Sequence, residues 1–88
     1  MKIKDTFLMK EIAGNYVVVP TGNELVNLNG MITLNDSGAV LWGLLENDTT
    51  KDAVIGGMLE KFDIDRETAE ADIDEFLDLL RKIGALDE

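Results

Sequence analysis

The stretch Glu24–Asn35, with the sequence ELVNLNGMITLN, changes character halfway along and decides how the chain is divided. In its first half, Val26 and Leu28 alternate with Leu25, Asn27 and Asn29, which is the period of two expected of a β-strand. Gly30 follows, and the run ITLND then leads into residues typical of a helix start. The sequence therefore predicts a short strand at Leu25–Asn29. Such a strand cannot stand alone, so its second edge either pairs within the protein or stays free.

The residues before this stretch predict two further strands. Apolar runs at Phe7–Ala13 and Tyr16–Pro20 flank Gly14-Asn15, a pair suited to a tight hairpin because glycine accepts a positive φ. Pro20 belongs at a strand end, since proline cannot donate a hydrogen bond to the sheet. Together with Leu25–Asn29, these runs predict a three-stranded antiparallel meander over residues 7–29.

The residues after this stretch predict three helices, at about 36–46, 50–62 and 66–83. Asn35, Asp36 or Ser37 can cap the first, Thr49 and Asp52 approximate a capping box for the second, and Asp65 caps the third. Gly84 should end the third helix. Gly56-Gly57 lies inside the second helix, where each glycine costs about 1 kcal/mol relative to alanine and marks either a close backbone approach or a compliant segment. The predicted fold is α+β.

The last helix carries two apolar stripes at helical spacing. The main stripe is expected to face the core and consists of Ala69, Ile73, Phe76, Leu77 and Leu80. A weaker stripe, flanked by Glu75, contains Asp72, Phe76, Leu79 and Ile83. Its width predicts either packing on the sheet or one wall of a groove beside the sheet.

Composition excludes several classes of function. The chain has 88 residues and no cysteine or histidine, which removes disulfides, thiolate nucleophiles and the usual zinc ligands. We expect no catalytic site, metal or cofactor. The start MKIKD lacks the apolar segment of a signal peptide, and no apolar run could span a bilayer, so a cytoplasmic protein is expected. The net charge of −10 disfavours nucleic acid and anionic membranes as partners.

Three other functions have partial support in these residues. Asp36-Ser37 at a helix start is compatible with an acyl or peptidyl carrier modified at Ser37, although Gly38 stands where a carrier has a bulky apolar residue. Three strands with three helices also suit a DNA-binding winged helix, but the acidic last helix would be repelled by phosphates. A general acidic protein-interaction module is the third alternative.

Three segments together resemble the PqqD-like family, whose members recognise precursor peptides in ribosomal peptide maturation. The segments are EIAGNYVVVPTG, VNLNGMITLNDSGAVLW and FDIDRETAEADIDEFLDLLRKIGAL, and the resemblance extends over roughly Lys4 to Leu86. It implies a single PqqD-like peptide-recognition domain over residues 1–88. The implied fold is winged-helix-like, with three strands followed by three helices.

The resemblance also implies a non-catalytic protein that binds the leader of a precursor peptide and presents it to a separate modifying enzyme, often a radical S-adenosylmethionine (SAM) enzyme. In such proteins the leader adds as a strand to the third strand and lies beside the third helix. Here the implied site is Leu25, Val26, Asn27, Leu28 and Asn29 with Asp72, Glu75, Phe76, Leu79 and Ile83. Met1–Thr6 or a second chain could instead cover that edge, and strand exchange could give a homodimer.

Overall fold

The computed structural model describes residues 1–21 and 32–88. Its strands are β1 (Lys2–Ile3), β2 (Phe7–Ile12), β3 (Asn15–Pro20), β4 (Ile32–Leu34) and β5 (Leu86–Asp87). Its helices are α1 (Asp36–Leu44), α2 (Lys51–Lys61) and α3 (Arg66–Lys82), and each lies inside the range predicted for it. The predicted α+β class, a three-stranded antiparallel sheet followed by three helices, is confirmed.

The three-stranded sheet has the order β2-β3-β4, with both neighbouring pairs antiparallel. Ile12 pairs with Asn15, so the hairpin turn consists of Ala13 and Gly14. Both residues have positive φ, 52° and 83°, as a type I′ turn requires. The predicted turn at Gly14-Asn15 was therefore wrong by one residue, because Asn15 is the first residue of β3.

The described third strand of the sheet is Ile32–Leu34, which pairs with Tyr16–Val18 of β3. The run ITLND leads into the first helix through the Asn35 cap, as predicted, but the strand at Ile32–Leu34 was not predicted. The strand predicted at Leu25–Asn29 lies outside the described residues.

Each helix begins at a side chain that accepts a hydrogen bond from the first turn. Asn35 accepts from Gly38 N at 2.8 Å, Thr50 from Ala53 N at 3.2 Å, and Asp65 from Thr68 N at 2.7 Å. The cap of α2 is thus Thr50, and the predicted cap at Thr49 was wrong by one residue. After α3, Gly84 has a φ of 73°, a conformation that favours glycine and ends the helix.

One hydrophobic core joins the sheet to all three helices. The whole predicted main stripe of α3 is buried in it, and Trp42 of α1 is only 2% exposed. The sheet contributes the face on which Phe7, Val18 and Leu34 lie. The largest side chains buried almost completely are Trp42, Leu45, Ile55, Met58, Ile73, Leu80, Val18 and Val54.

The two ends of the described chain form a second, two-stranded sheet. Lys2 pairs with Asp87 and Ile3 with Leu86, and Ile3 N also donates to Leu45 O at 2.8 Å. These hydrogen bonds engage the N-terminal segment away from β4. The alternative that Met1–Thr6 covers the predicted strand Leu25–Asn29 concerns an edge outside the described residues. No helix in the described ranges combines the length and apolarity needed to cross a membrane.

Candidate functional site

A cleft of about 710 Å³ lies between α3 and the corner where β4 meets α1. One wall comes from the strand and the helix start, and the other comes from three turns of α3. The residues that line it are Thr33, Leu34, Asn35, Ser37, Gly38, Leu41, Asp72, Glu75, Phe76, Asp78, Leu79 and Lys82.

The strand wall of the cleft is an edge of the sheet as far as the described residues go. The order β2-β3-β4 leaves β4 with one neighbour, and its backbone groups make no hydrogen bond to any described residue outside β3. Thr33 is exposed, whereas Leu34 is buried in the core. An edge of this kind offers backbone N–H and C=O groups that another chain can pair with.

The corner between β4 and α1 is held by Asn35. Its Oδ1 accepts from Gly38 N at 2.8 Å and from Ser37 Oγ at 3.0 Å. Gly38 lies tightly against this turn, since a Cβ there would be 3.2 Å from both Asn35 Oδ1 and Leu34 Cβ. The missing side chain therefore lets α1 start directly beside the strand, and both become one wall of the cleft.

The α3 wall has an apolar floor and charged rims. Phe76 is 8% exposed and Leu79 is half-buried, so both present apolar surface to the cleft. Asp72 and Glu75 are exposed, and neither forms an ion pair with a described residue. Lys82 lies at the far end of this wall and likewise has no ion-pair partner among the described residues.

Most other charges of α3 form ion pairs within the protein. Lys51 of α2 reaches Asp74 at 2.6 Å and Glu70 at 3.6 Å, and its hydrogen bond with Asp74 raises the pKa of Lys51. Arg81 binds Glu88 at 2.9 Å and Asp78 at 3.0 Å. The hydrogen bond from Arg81 lowers the pKa of Glu88. Carboxylates without an ion pair thus remain on the cleft side, at Asp72 and Glu75, while those that face α2 and the C-terminal strand share a cation.

The structure brings together four of the residues predicted from the sequence. Asp72, Glu75, Phe76 and Leu79 all line the cleft. Ile83 packs against the core and is not part of the lining. The five residues predicted on the strand, Leu25, Val26, Asn27, Leu28 and Asn29, lie outside the described residues.

Sequence reasoning missed the strand and corner residues of the cleft. Thr33 and Leu34 lie in a strand of three residues, too short to show a period of two. Asp78 and Lys82 carried a usable signal, because they follow Glu75 at steps of three and four residues, the spacing of one helix face.

The described residues hold no arrangement that indicates catalysis. No group of three or more carboxylates among them converges as a metal site would require. Within the same ranges no polar or charged residue is buried. Ser37 is half-buried and donates its hydroxyl hydrogen bond to Asn35, which is the role of a residue in a helix cap.

Comparisons with known proteins agree on the fold. The family model described as coenzyme PQQ synthesis protein D (PqqD) matches residues 11–86. A solved structure titled "TbiB1 in Complex with the TbiA(beta) Leader Peptide" is similar to this chain with a TM-score of 0.78. The two share 24% sequence identity, over 99% of this chain and 95% of that chain. No curated protein matches the sequence.

Proposed function

Because this chain belongs to the family of coenzyme PQQ synthesis protein D (PqqD), we propose that it is a non-catalytic peptide-binding protein. It captures the leader of a ribosomally synthesised precursor peptide and presents it to a modifying enzyme. The observation that carries the proposal is the cleft, in which an edge strand faces an apolar helix wall. The structural neighbour supports it, since that protein has the same fold and was solved in complex with a leader peptide.

The cleft has the two parts that strand addition needs. Main-chain hydrogen bonds to an edge strand supply affinity, and side-chain pockets supply selectivity. Here β4 supplies the edge, while Leu41, Phe76 and Leu79 supply apolar surface for the side chains of the guest that point away from solvent. The proposed binding residues are those of the cleft together with the predicted strand Leu25–Asn29.

A comparison of the two sheet edges supports β4 as the edge that accepts the peptide. The opposite edge strand, β2, carries Lys10 near its middle, on the outer face between the exposed side chains of Leu8 and Ile12. A lysine on an edge strand opposes pairing with another strand, because its charge must stay hydrated. β4 consists of Ile32, Thr33 and Leu34 and carries no charge.

The modifying enzyme is the second proposed partner. A protein that only binds a leader has an effect only if another protein carries out the chemistry, and the resemblance implies a radical SAM enzyme for this role.

Two leucines allow a matched test of the cleft. Leu79 lies in the cleft, whereas Leu59 is 36% exposed on α2 and lies outside the cleft. Leu79→Glu places a carboxylate where the guest buries apolar surface, and we expect it to weaken binding at least about ten-fold. Leu59→Glu makes the same chemical change and should leave affinity within about two-fold.

The measurement is calorimetric titration with synthetic leader segments of the short open reading frames encoded beside this protein. Circular dichroism of both variants confirms that the fold is kept. Equal affinity of Leu79→Glu and Leu59→Glu would contradict binding in the cleft. Val26→Pro or Asn27→Pro tests the predicted strand, since proline removes a backbone donor from any ladder there.

The alternative from another class is a carrier protein, which requires that the Ser37 hydroxyl can be modified. Modification needs a reachable serine hydroxyl, whereas this hydroxyl is half-buried and hydrogen-bonded to Asn35 at 3.0 Å. Incubation with a phosphopantetheinyl transferase should leave the intact mass unchanged. A gain of one phosphopantetheine would support the carrier function instead.

A further inference from the structure

The two ends of the cleft carry opposite charges. Asp72 and Glu75 line one end of the α3 wall, and Lys82 lines the other. Ten residues of helix separate Asp72 from Lys82, which is about 15 Å at 1.5 Å per residue. Between them, Phe76 and Leu79 form the apolar middle of the wall.

These end charges are unpaired in a helix whose neighbouring charges are mostly paired. Lys51 forms ion pairs with Glu70 and Asp74, and Arg81 forms one with Asp78, the remaining acidic residue of the lining. Within the described residues, Asp72, Glu75 and Lys82 have no such partner. Their fields therefore act on whatever enters the cleft, and an apolar wall of low dielectric beside them strengthens the effect.

We propose that the cleft selects a guest segment with a specific order of side chains, an inference that rests on the proposed function. A lysine or arginine of the guest faces Asp72 and Glu75, an apolar side chain packs on Phe76 and Leu79, and an aspartate or glutamate faces Lys82. The opposite charges at the two ends also determine the direction in which the peptide lies, because the reversed peptide would place like charges together.

The spacing of this pattern follows from strand geometry. An extended chain advances about 3.3 Å per residue, and every second side chain points to the same side. Side chains at positions i, i+2 and i+4 therefore span about 13 Å on one side, close to the roughly 15 Å between the charged ends of the wall. The guest motif is thus basic, any, apolar, any, acidic, read from the end beside Asp72.

The test is a selection from a displayed library of random twelve-residue peptides against the full chain. We expect the enriched peptides to contain the motif in one direction only. The double variant Asp72→Lys/Glu75→Lys should enrich peptides with an acidic residue in place of the basic one. Lys82→Glu should enrich peptides with a basic residue in place of the acidic one. Each lost or inverted ion pair should change the affinity of a wild-type peptide about two- to five-fold.

A charge-matched control separates the local effect from the net charge. Glu60→Lys/Asp63→Lys changes the net charge by the same amount at two exposed carboxylates outside the cleft, and it should keep the wild-type motif. If the wild type enriches no peptide at all, the proposed function fails. If it enriches apolar peptides without a charge pattern, or if the control shifts the motif as much as the cleft variant does, only the present inference fails.

Discussion

The paired glycines of α2 permit a sharp test of how this fold is packed. Gly56 faces open space, with no atom within 4 Å of the position that a Cβ would take. At Gly57 the same Cβ would lie 2.8 and 2.9 Å from the two methyl groups of Leu44, the last residue of α1. Gly57 therefore marks the close approach of α1 and α2 that the sequence analysis considered, whereas Gly56 does not.

The two alanine substitutions should have unequal effects on the free energy of unfolding. Gly56→Ala should raise it by about 0.5–1 kcal/mol, the gain in helix propensity at an exposed position. Gly57→Ala receives the same gain but must displace the methyl groups at the end of the half-buried Leu44 side chain, so its cost should lie near the low end of the about 1–3 kcal/mol of overpacking. The net effect should be close to zero, which leaves Gly57→Ala about 0.5–1 kcal/mol less stable than Gly56→Ala. For a domain of this size, 1 kcal/mol corresponds to a Tm shift of about 4–8 °C.

Urea titration followed by circular dichroism measures the free energies of unfolding of both variants. Repeating the Gly57→Ala measurement in a Leu44→Ala variant isolates the contact between residues 57 and 44. In Leu44→Ala the methyl groups that clash are gone, so Gly57→Ala should become stabilising by nearly as much as Gly56→Ala. The reasoning is refuted if Gly57→Ala stabilises the wild type as much as Gly56→Ala does, or if its effect is the same in both backgrounds.

Three further predictions concern the turn, one cap and the response to acid. Ala13→Asn should raise the free energy of unfolding by several tenths of a kcal/mol in urea titration, because Ala13 has a φ of 52° and asparagine tolerates that region better. Asn35→Ala should lower it by about 1 kcal/mol, whereas Asn35→Asp should keep most of the cap. Hydrogen bonds from the Thr68 side chain and backbone hold the pKa of Asp65 below its ordinary value of 3.8. The ionised Asp65 carboxylate therefore adds to the free energy of unfolding above that pH, and this stabilisation is lost as the pH falls through the folded pKa. Thermal unfolding between pH 6 and 2 should therefore show a smaller acid-induced fall in Tm for Asp65→Asn, which keeps the cap but does not titrate there; an unchanged fall would contradict this assignment.

The helices and the core were predictable because each long segment carries several signals that agree. In α3, the cap at Asp65, the apolar stripe from Ala69 to Leu80 and the stop at Gly84 are separate features of the sequence, and the structure has all three. The second stripe of α3 was visible because a helical face repeats over three turns. It contains Asp72, Phe76 and Leu79, which line the cleft.

The strands were harder because their length and pairing depend on distant residues. Ala13-Gly14 and Gly14-Asn15 both suit a tight turn locally, and only the register of β2 against β3 distinguishes them. Ile32–Leu34 has three residues, so no alternation is visible, and its adjacent cap made it look like the start of a helix. Lys2–Ile3 and Leu86–Asp87 pair across almost the whole sequence, and two residues carry no recognisable pattern.

Asn35 links the stability of α1 to the wall of the cleft. Its side chain caps α1 through Gly38 N and holds Ser37 Oγ, and its backbone directly follows the edge strand. Asn35 thus connects β4 to α1, and both form the cleft wall opposite Phe76 and Leu79. A helix cap elsewhere, such as Thr50, stabilises its helix without shaping the cleft. Loss of the Asn35 cap would consequently loosen the strand wall, whereas loss of the Thr50 cap would lower stability and leave the cleft in place.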